Sequence, residues 1–199
     1  MSAVSETIAR EYFECHGYLV SQPRKYTPGK FKKIEEELDL IVFNPRVKEH
    51  IIPETLVWTG ADLATIRQAV ISVRGWHSER ISAAMIEKIP ELLRFVQPDA
   101  VRMAADRVGA DNVARILCLP QLPATAELKD KTMAVMKARG IDGILTFRTM
   151  LLELVSGIDK NFNYDKSDLL QTLRILKSYD LFNDDTQMDL FNGRRRRIP

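Results

Sequence analysis

Four side chains in the sequence are of types and at positions that could do chemistry: Asp39, Ser72 and Arg74 inside apolar runs, and Glu6 near the start of the chain. Asp39 lies in Leu38-Asp39-Leu40-Ile41-Val42-Phe43, a run that stops at the turn-forming Asn44-Pro45. Strand alternation puts Leu38, Leu40 and Val42 on one face and Asp39, Ile41 and Phe43 on the other. Both faces are apolar, so the strand is predicted to be covered on two sides. A carboxylate held there needs a cation, a set of hydrogen-bond donors or a metal ion, because a lone buried charge is strongly disfavoured. Gln68 to Trp76 reads as a second strand, with Val70, Ser72 and Arg74 on one face and Ile71 and Val73 on the other. Arginine keeps its proton at any working pH. It can clamp a phosphate or a carboxylate, but it cannot act as a base. Glu6 falls in the first turn of a predicted helix, where the macrodipole favours an acid with or without a function.

The elements that must position these residues follow in order along the chain. Ser2 to His16 reads as a helix with the stripes Ile8–Tyr12 and Ala9–Phe13, closed by Gly17. Tyr18 to Val20 is a short strand, and the basic residues 21 to 33 form a loop or hairpin tip before the Asp39 strand. Residues 44 to 67 are irregular, with Leu56-Val57-Trp58 as a candidate edge segment. After the Arg74 strand come a helix capped by Ser82 and interrupted at Pro90, a continuation to Val96, and a helix from Pro98 to about Gly109. Val113 to Leu119 is a strand, Thr125 to Arg139 a helix ended by Gly140, and Gly143 to Phe147 a strand. Helices at Arg148 to Val155 and Asp165 to Tyr179 follow. The order is helix, three strands, helices, strand, helix, strand, helices, which predicts an α/β protein with a mixed central sheet flanked by helices.

The totals suit one domain, expected over residues 1–182, with a polar tail over 183–199 that should be flexible. The net charge of +2 leaves partners open. Cys15 and Cys118 have no metal-ligand spacing and are read as reduced core thiols. His16, His50 and His77 share no ligand spacing, so no zinc site is expected. Neither an apolar run of membrane-spanning length nor a signal-peptide pattern is present, which reads as a cytoplasmic chain with no membrane partner. Gly75-Trp76-His77 could face a substrate, or Trp76 could simply pack on the sheet.

Three segments together resemble the PD-(D/E)XK, restriction-endonuclease-like nuclease superfamily. They are the opening helix from Glu6 to Tyr18, the strand Glu37-Leu38-Asp39-Leu40-Ile41, and Val70-Ile71-Ser72-Val73-Arg74-Gly75-Trp76 in the place of the (D/E)-x-K strand. The resemblance covers about residues 3–120 as an αβββαβ core, with 121–182 as an extension. It implies metal-assisted hydrolysis of a DNA phosphodiester. Asp39 and Glu6 would hold Mg²⁺ or Mn²⁺, and the Val73 carbonyl would complete the oxygen shell. The pattern departs at its third motif, where Ser72 takes the place of the acid and Arg74 that of the lysine. Glu79 or Glu37 could supply the missing acid, and Arg74 could still stabilise phosphate charge. Alternatively Asp39 pairs with Arg74, and the chain is a silent member of the fold that binds DNA or scaffolds a repair or defence complex. A third reading is an unrelated α/β protein whose tail mediates assembly.

The tail carries a separate signal. Gln187-Met188-Asp189-Leu190-Phe191 resembles the Gln-x-x-Leu-Phe peptide with which bacterial polymerases and repair proteins dock on the sliding clamp. Such a match implies contacts through Gln187, Leu190 and Phe191, or else Leu190 and Phe191 pin the tail to the protein's own surface. Arg194, Arg195, Arg196 and Arg197 would attract nucleic-acid phosphate in a salt-dependent way, or serve only to keep the tail soluble.

Overall fold

A computed structural model describes residues 3–23, 38–77 and 80–182. The chain divides into two units, Met1–Met150 and Leu151–Pro199. The first holds a five-stranded mixed sheet flanked by helices, so the α/β class read from the element order is present. Helix α1 (Ala3–Cys15) leads to β1 (Leu19–Ser21), β2 (Leu40–Phe43), the short α2 (Gly60–Leu63) and β3 (Gln68–Val73). Helix α3 (Ala83–Lys88), a 3₁₀ segment (Pro90–Val96), α4 (Pro98–Val108), β4 (Ala114–Leu119), α5 (Ala126–Ala138) and β5 (Gly143–Thr146) follow. Helices α6 (Phe147–Gly157) and α7 (Asp168–Ser178) complete the set.

The strands lie side by side in chain order. β1, β2 and β3 are antiparallel neighbours, whereas β3, β4 and β5 run parallel. β3 is where the sheet changes sense, and all six of its residues are buried, as expected for a Val/Ile-rich strand covered on both faces. One face contributes Ile41, Val70, Leu117, Leu119 and Ile144 to a core with Ile86 of α3, Leu92 and Phe95 of the 3₁₀ segment, Ala104 of α4 and Met136 of α5. The other face takes the buried stripe of α1 (Ile8, Ala9, Tyr12, Phe13) and the fully buried Trp58. Trp58 lies where a Cβ at Gly143 would otherwise stand, so that glycine makes room for the indole. The backbone of Leu56 to Trp58 pairs with Ile144, through Ile144 N–H to the Leu56 carbonyl at 2.7 Å and Trp58 N–H to the Ile144 carbonyl at 2.8 Å. The anticipated edge segment therefore caps β5.

Punctuation in the sequence sets the ends of these elements. Gly17 takes φ +85 after α1, letting Tyr18 N–H reach the Phe13 carbonyl at 3.1 Å and turn the chain into β1. Ser82 Oγ accepts from Met85 N–H at 3.4 Å as the cap of α3, and Pro90 then restarts the chain as a 3₁₀ segment. The expectation that both cysteines are core thiols is half right. Cys118 is buried, but Cys15, the last residue of α1, is exposed. Trp76 packs half-buried against the core.

In the second unit, Lys177 of α7 spends all three of its protons on the end of α6. It donates to the carbonyls of Val155 at 2.8 Å, Ile158 at 2.8 Å and Ser156 at 3.3 Å. A cation is favoured there, because unsatisfied carbonyls gather at a helix C-terminus. Among the described residues, no helix is long and apolar enough to cross a membrane.

Candidate functional site

β2 pairs with β3 so that Leu40 faces Ile71 and Ile41 faces Val70. One step further, the same register sets Asp39 opposite Ser72, on the face that also carries Arg74. The side chain of Asp39 is 0% exposed, and three donors from β3 and its exit converge on its Oδ2 atom. Val73 N–H donates at 2.6 Å, the Ser72 hydroxyl at 3.3 Å and Arg74 Nη1 at 3.4 Å. The shortest of these is a backbone amide bonding a buried carboxylate, a charge-assisted bond of the stronger kind.

Arg74 is anchored from several sides. Its backbone N–H donates to the Cys118 carbonyl at 2.8 Å, which keeps the chain in register with β4 one residue past the end of β3. Its Nη2 donates to the Leu92 carbonyl at 3.2 Å and its Nη1 to the Val73 carbonyl at 3.4 Å. The Leu92 carbonyl adjoins a break in the 3₁₀ segment, where Leu93 leaves helical geometry at φ −111, ψ 17. The guanidinium thus ties β2, β3 and the 3₁₀ segment together, with only 10% of its side chain exposed. Cys118 lies next door on β4, and its thiol is pushed well above the usual range, first by burial and then by the Asp39 charge.

Asp39, Ser72, Val73 and Arg74 are therefore brought together. Val73 takes part through its N–H, which bonds Asp39, while its carbonyl is used by Arg74. Glu6 stands half-buried in the first turn of α1. Glu37, Glu79 and the tail residues Gln187, Leu190, Phe191 and Arg194 to Arg197 lie outside the described residues. Among the described residues, no group of three or more His, Cys, Asp or Glu side chains is placed to hold a metal ion. Mg²⁺ prefers several oxygen ligands, and the described residues around Asp39 supply few of them. Those groups are one carboxylate whose Oδ2 accepts from three donors, a weakly ligating hydroxyl and a guanidinium 3.4 Å from that oxygen.

Two further pairings are not foreshadowed by any motif. Ser5 of α1, fully buried, lies with its Oγ 3.1 Å from His77 Nε2, and a Cβ at Gly75 would collide with it. At the other end of the sheet Arg115 of β4 grips Asp142 with two bonds of 2.8 Å, from Nε to Oδ2 and from Nη2 to Oδ1. An arginine within the otherwise apolar Ala-Arg-Ile-Leu-Cys-Leu run is the available clue to the second. No family model matches the chain, and neither a curated protein nor a solved structure matches it.

Proposed function

We propose that the chain is a catalytically silent, restriction-endonuclease-like module that binds DNA. The observation that carries this reading is the commitment of Asp39, in a fully buried side chain, to Val73 N–H, the Ser72 hydroxyl and the Arg74 guanidinium. A working site of that family needs its aspartate free for metal and a proton acceptor beside it. Here the would-be base is an arginine that stays protonated and serves as the internal counter-ion. The antiparallel β1–β2–β3 order and the parallel β4, with α1 packed on one face, are compatible with the αβββαβ core that the resemblance implies. Affinity for DNA would come from phosphate contacts, for which the arginine run 194–197 is the densest basic stretch in the chain.

The test is binding and cleavage on the same substrates. Duplex, flap, junction and single-stranded DNA should be bound but left intact with Mg²⁺ or Mn²⁺. Replacing Arg194 to Arg197 by alanine should flatten the salt dependence, by about 0.9 in the log–log slope for each duplex phosphate that is no longer neutralised. Metal-dependent cleavage that disappears in Asp39→Ala would overturn the proposal and restore the nuclease reading.

A further inference from the structure

Basic side chains line one end of the sheet without carboxylate partners. It is the end where β2 stops and β3, β4 and β5 begin, opposite the Asp39 site at the start of β2 and the exit of β3. A chain of contacts runs across it. Asn44 N–H donates to the Arg67 carbonyl at 2.7 Å and Arg46 N–H to Asn44 Oδ1 at 3.0 Å, so Arg46 and Arg67 rise from neighbouring backbone. Arg67 N–H bonds His50 Nδ1, and His50 lies close enough to Asp142 to feel its charge. Asp142 N–H donates to the Arg115 carbonyl at 3.0 Å. A Cβ at Gly140 would stand 3.1 Å from Arg115 Nη1, so Arg139 at the end of α5 closes the row. All of these residues belong to the first unit.

Arg46, Lys48, Arg67 and Arg139 are exposed, and none of the four has an ion pair among the described residues. The Arg67 guanidinium lies 5.3 Å over the Phe43 ring, which steadies it at the end of β2 and leaves its in-plane N–H donors unengaged. Of the carboxylates on this end, Asp142 is taken by Arg115, and Glu49, Glu54 and Asp111 are exposed. Lys137 reaches only the Glu54 carbonyl, at 3.5 Å, so cations remain in excess.

Building on the DNA-binding reading, on which this step rests, we infer that this end of the sheet contacts the DNA backbone, with Arg46, Lys48, Arg67 and Arg139 each approaching a phosphate. The contact lies in the folded domain and is separate from the arginine run 194–197. Neighbouring strands stand about 4.8 Å apart, so the row from β2 to β5 is roughly 15 Å long. Duplex DNA carries one charge per about 1.7 Å of its axis, and a row of that length meets several phosphates at once. Arginine suits the task, because its planar fork takes a phosphate with two bonds. The Asp39–Arg74 pair offers no such contact, since its guanidinium is engaged within the fold.

Fluorescence anisotropy of a labelled duplex, titrated with the full-length protein over a range of salt, tests this surface. Arg46→Gln, Arg67→Gln and Arg139→Gln combined should weaken binding roughly tenfold or more at low salt and lower the log–log salt slope by about 2–3. Arg46→Glu alone should reproduce part of that loss. A control with Lys129→Gln, Lys131→Gln and Arg148→Gln removes the same charge from exposed positions elsewhere in the first unit and should bind nearly as the wild type does. Circular dichroism should show the wild-type fold in every variant. A wild-type slope in both the triple variant and Arg46→Glu would overturn the surface and leave the DNA-binding reading to the tail. Equal loss in the control would reduce the effect to net charge and overturn it as well. No duplex binding by the wild type would end both readings. Poly-glutamate that displaces the duplex as well as unlabelled duplex does, charge for charge, would assign the surface to acidic protein instead.

Discussion

Two arginine–aspartate pairs sit at opposite ends of one sheet and are built by different rules. At the start of β4, Arg115 meets Asp142 in a bidentate grip at 2.8 Å with side chains 33% and 13% exposed. At the exit of β3, Arg74 Nη1 meets Asp39 at 3.4 Å with side chains 10% and 0% exposed. The better geometry belongs to the wetter pair. Asp142 also accepts from Arg115 N–H at 2.8 Å, so one carboxylate serves a side chain and the backbone at once. Hydrogen bonding to Asp142 raises the Arg115 pKa further, against the opposing effect of burial. That end of the sheet is a clasp. The dry pair depends on a backbone amide at 2.6 Å more than on its arginine for a short bond, and its guanidinium is divided between Asp39 and two carbonyls. The difference teaches that a buried pair need not be optimised as a pair to be indispensable. Desolvation has already removed the alternative of water, so each partner is held by whatever the fold supplies.

Breaking the dry pair should have the largest effect. Asp39→Ala leaves the Arg74 charge and the Val73 amide buried without this acceptor and should cost about 3–5 kcal/mol in urea unfolding. Combining it with Arg74→Met should cost less than the sum of the two single changes, by about 1 kcal/mol or more. Strict additivity would mean that the two side chains do not depend on one another. The clasp should respond less. Asp142→Asn keeps an acceptor for the Arg115 amide but loses the charge, and should cost about 1–2 kcal/mol, with a visible dependence on salt because the site is wet. An Asp142→Asn variant as damaged as Asp39→Ala would erase the distinction drawn between the two ends.

The smallest effect concerns pH at the clasp end. His50 Nδ1 accepts from Arg67 N–H at 3.0 Å, a bond that only the neutral ring can make through that atom. Burial lowers its pKa, partly opposed by the charge of Asp142. With the folded pKa depressed, its contribution to stability is fully present above the unfolded value and is lost as pH falls through the folded one. Unfolding midpoints should therefore decline on acidification below the ordinary histidine range, and His50→Gln, which retains an acceptor, should flatten that part of the profile. An identical decline in both proteins would remove His50 from the account.

Much of the dry site is legible in the sequence. Alternation alone places Asp39 on one face of its strand and Ser72 with Arg74 on one face of theirs, because a strand has only two faces. Gly17, Pro98, Gly109 and Gly140 mark helix ends through backbone requirements that are local. What is not legible depends on partners far along the chain. The Leu92 carbonyl is open to Arg74 beside a break in the 3₁₀ segment, which follows from packing and not from residue type. Arg115 and Asp142 meet across the parallel β4–β5 crossover, 27 residues apart. The habits of cysteine place Cys15 in the core, although its position at the last turn of α1 decides its exposure.

The decisive measurement is a calorimetric titration of the wild-type chain with Mn²⁺, run beside Asp39→Asn. Because Arg74 already neutralises Asp39 within the fold, the two proteins should give the same weak or absent heat. A saturable Mn²⁺ site present in the wild type and lost in Asp39→Asn would show that the carboxylate is open to metal, and the silent-module account would fail.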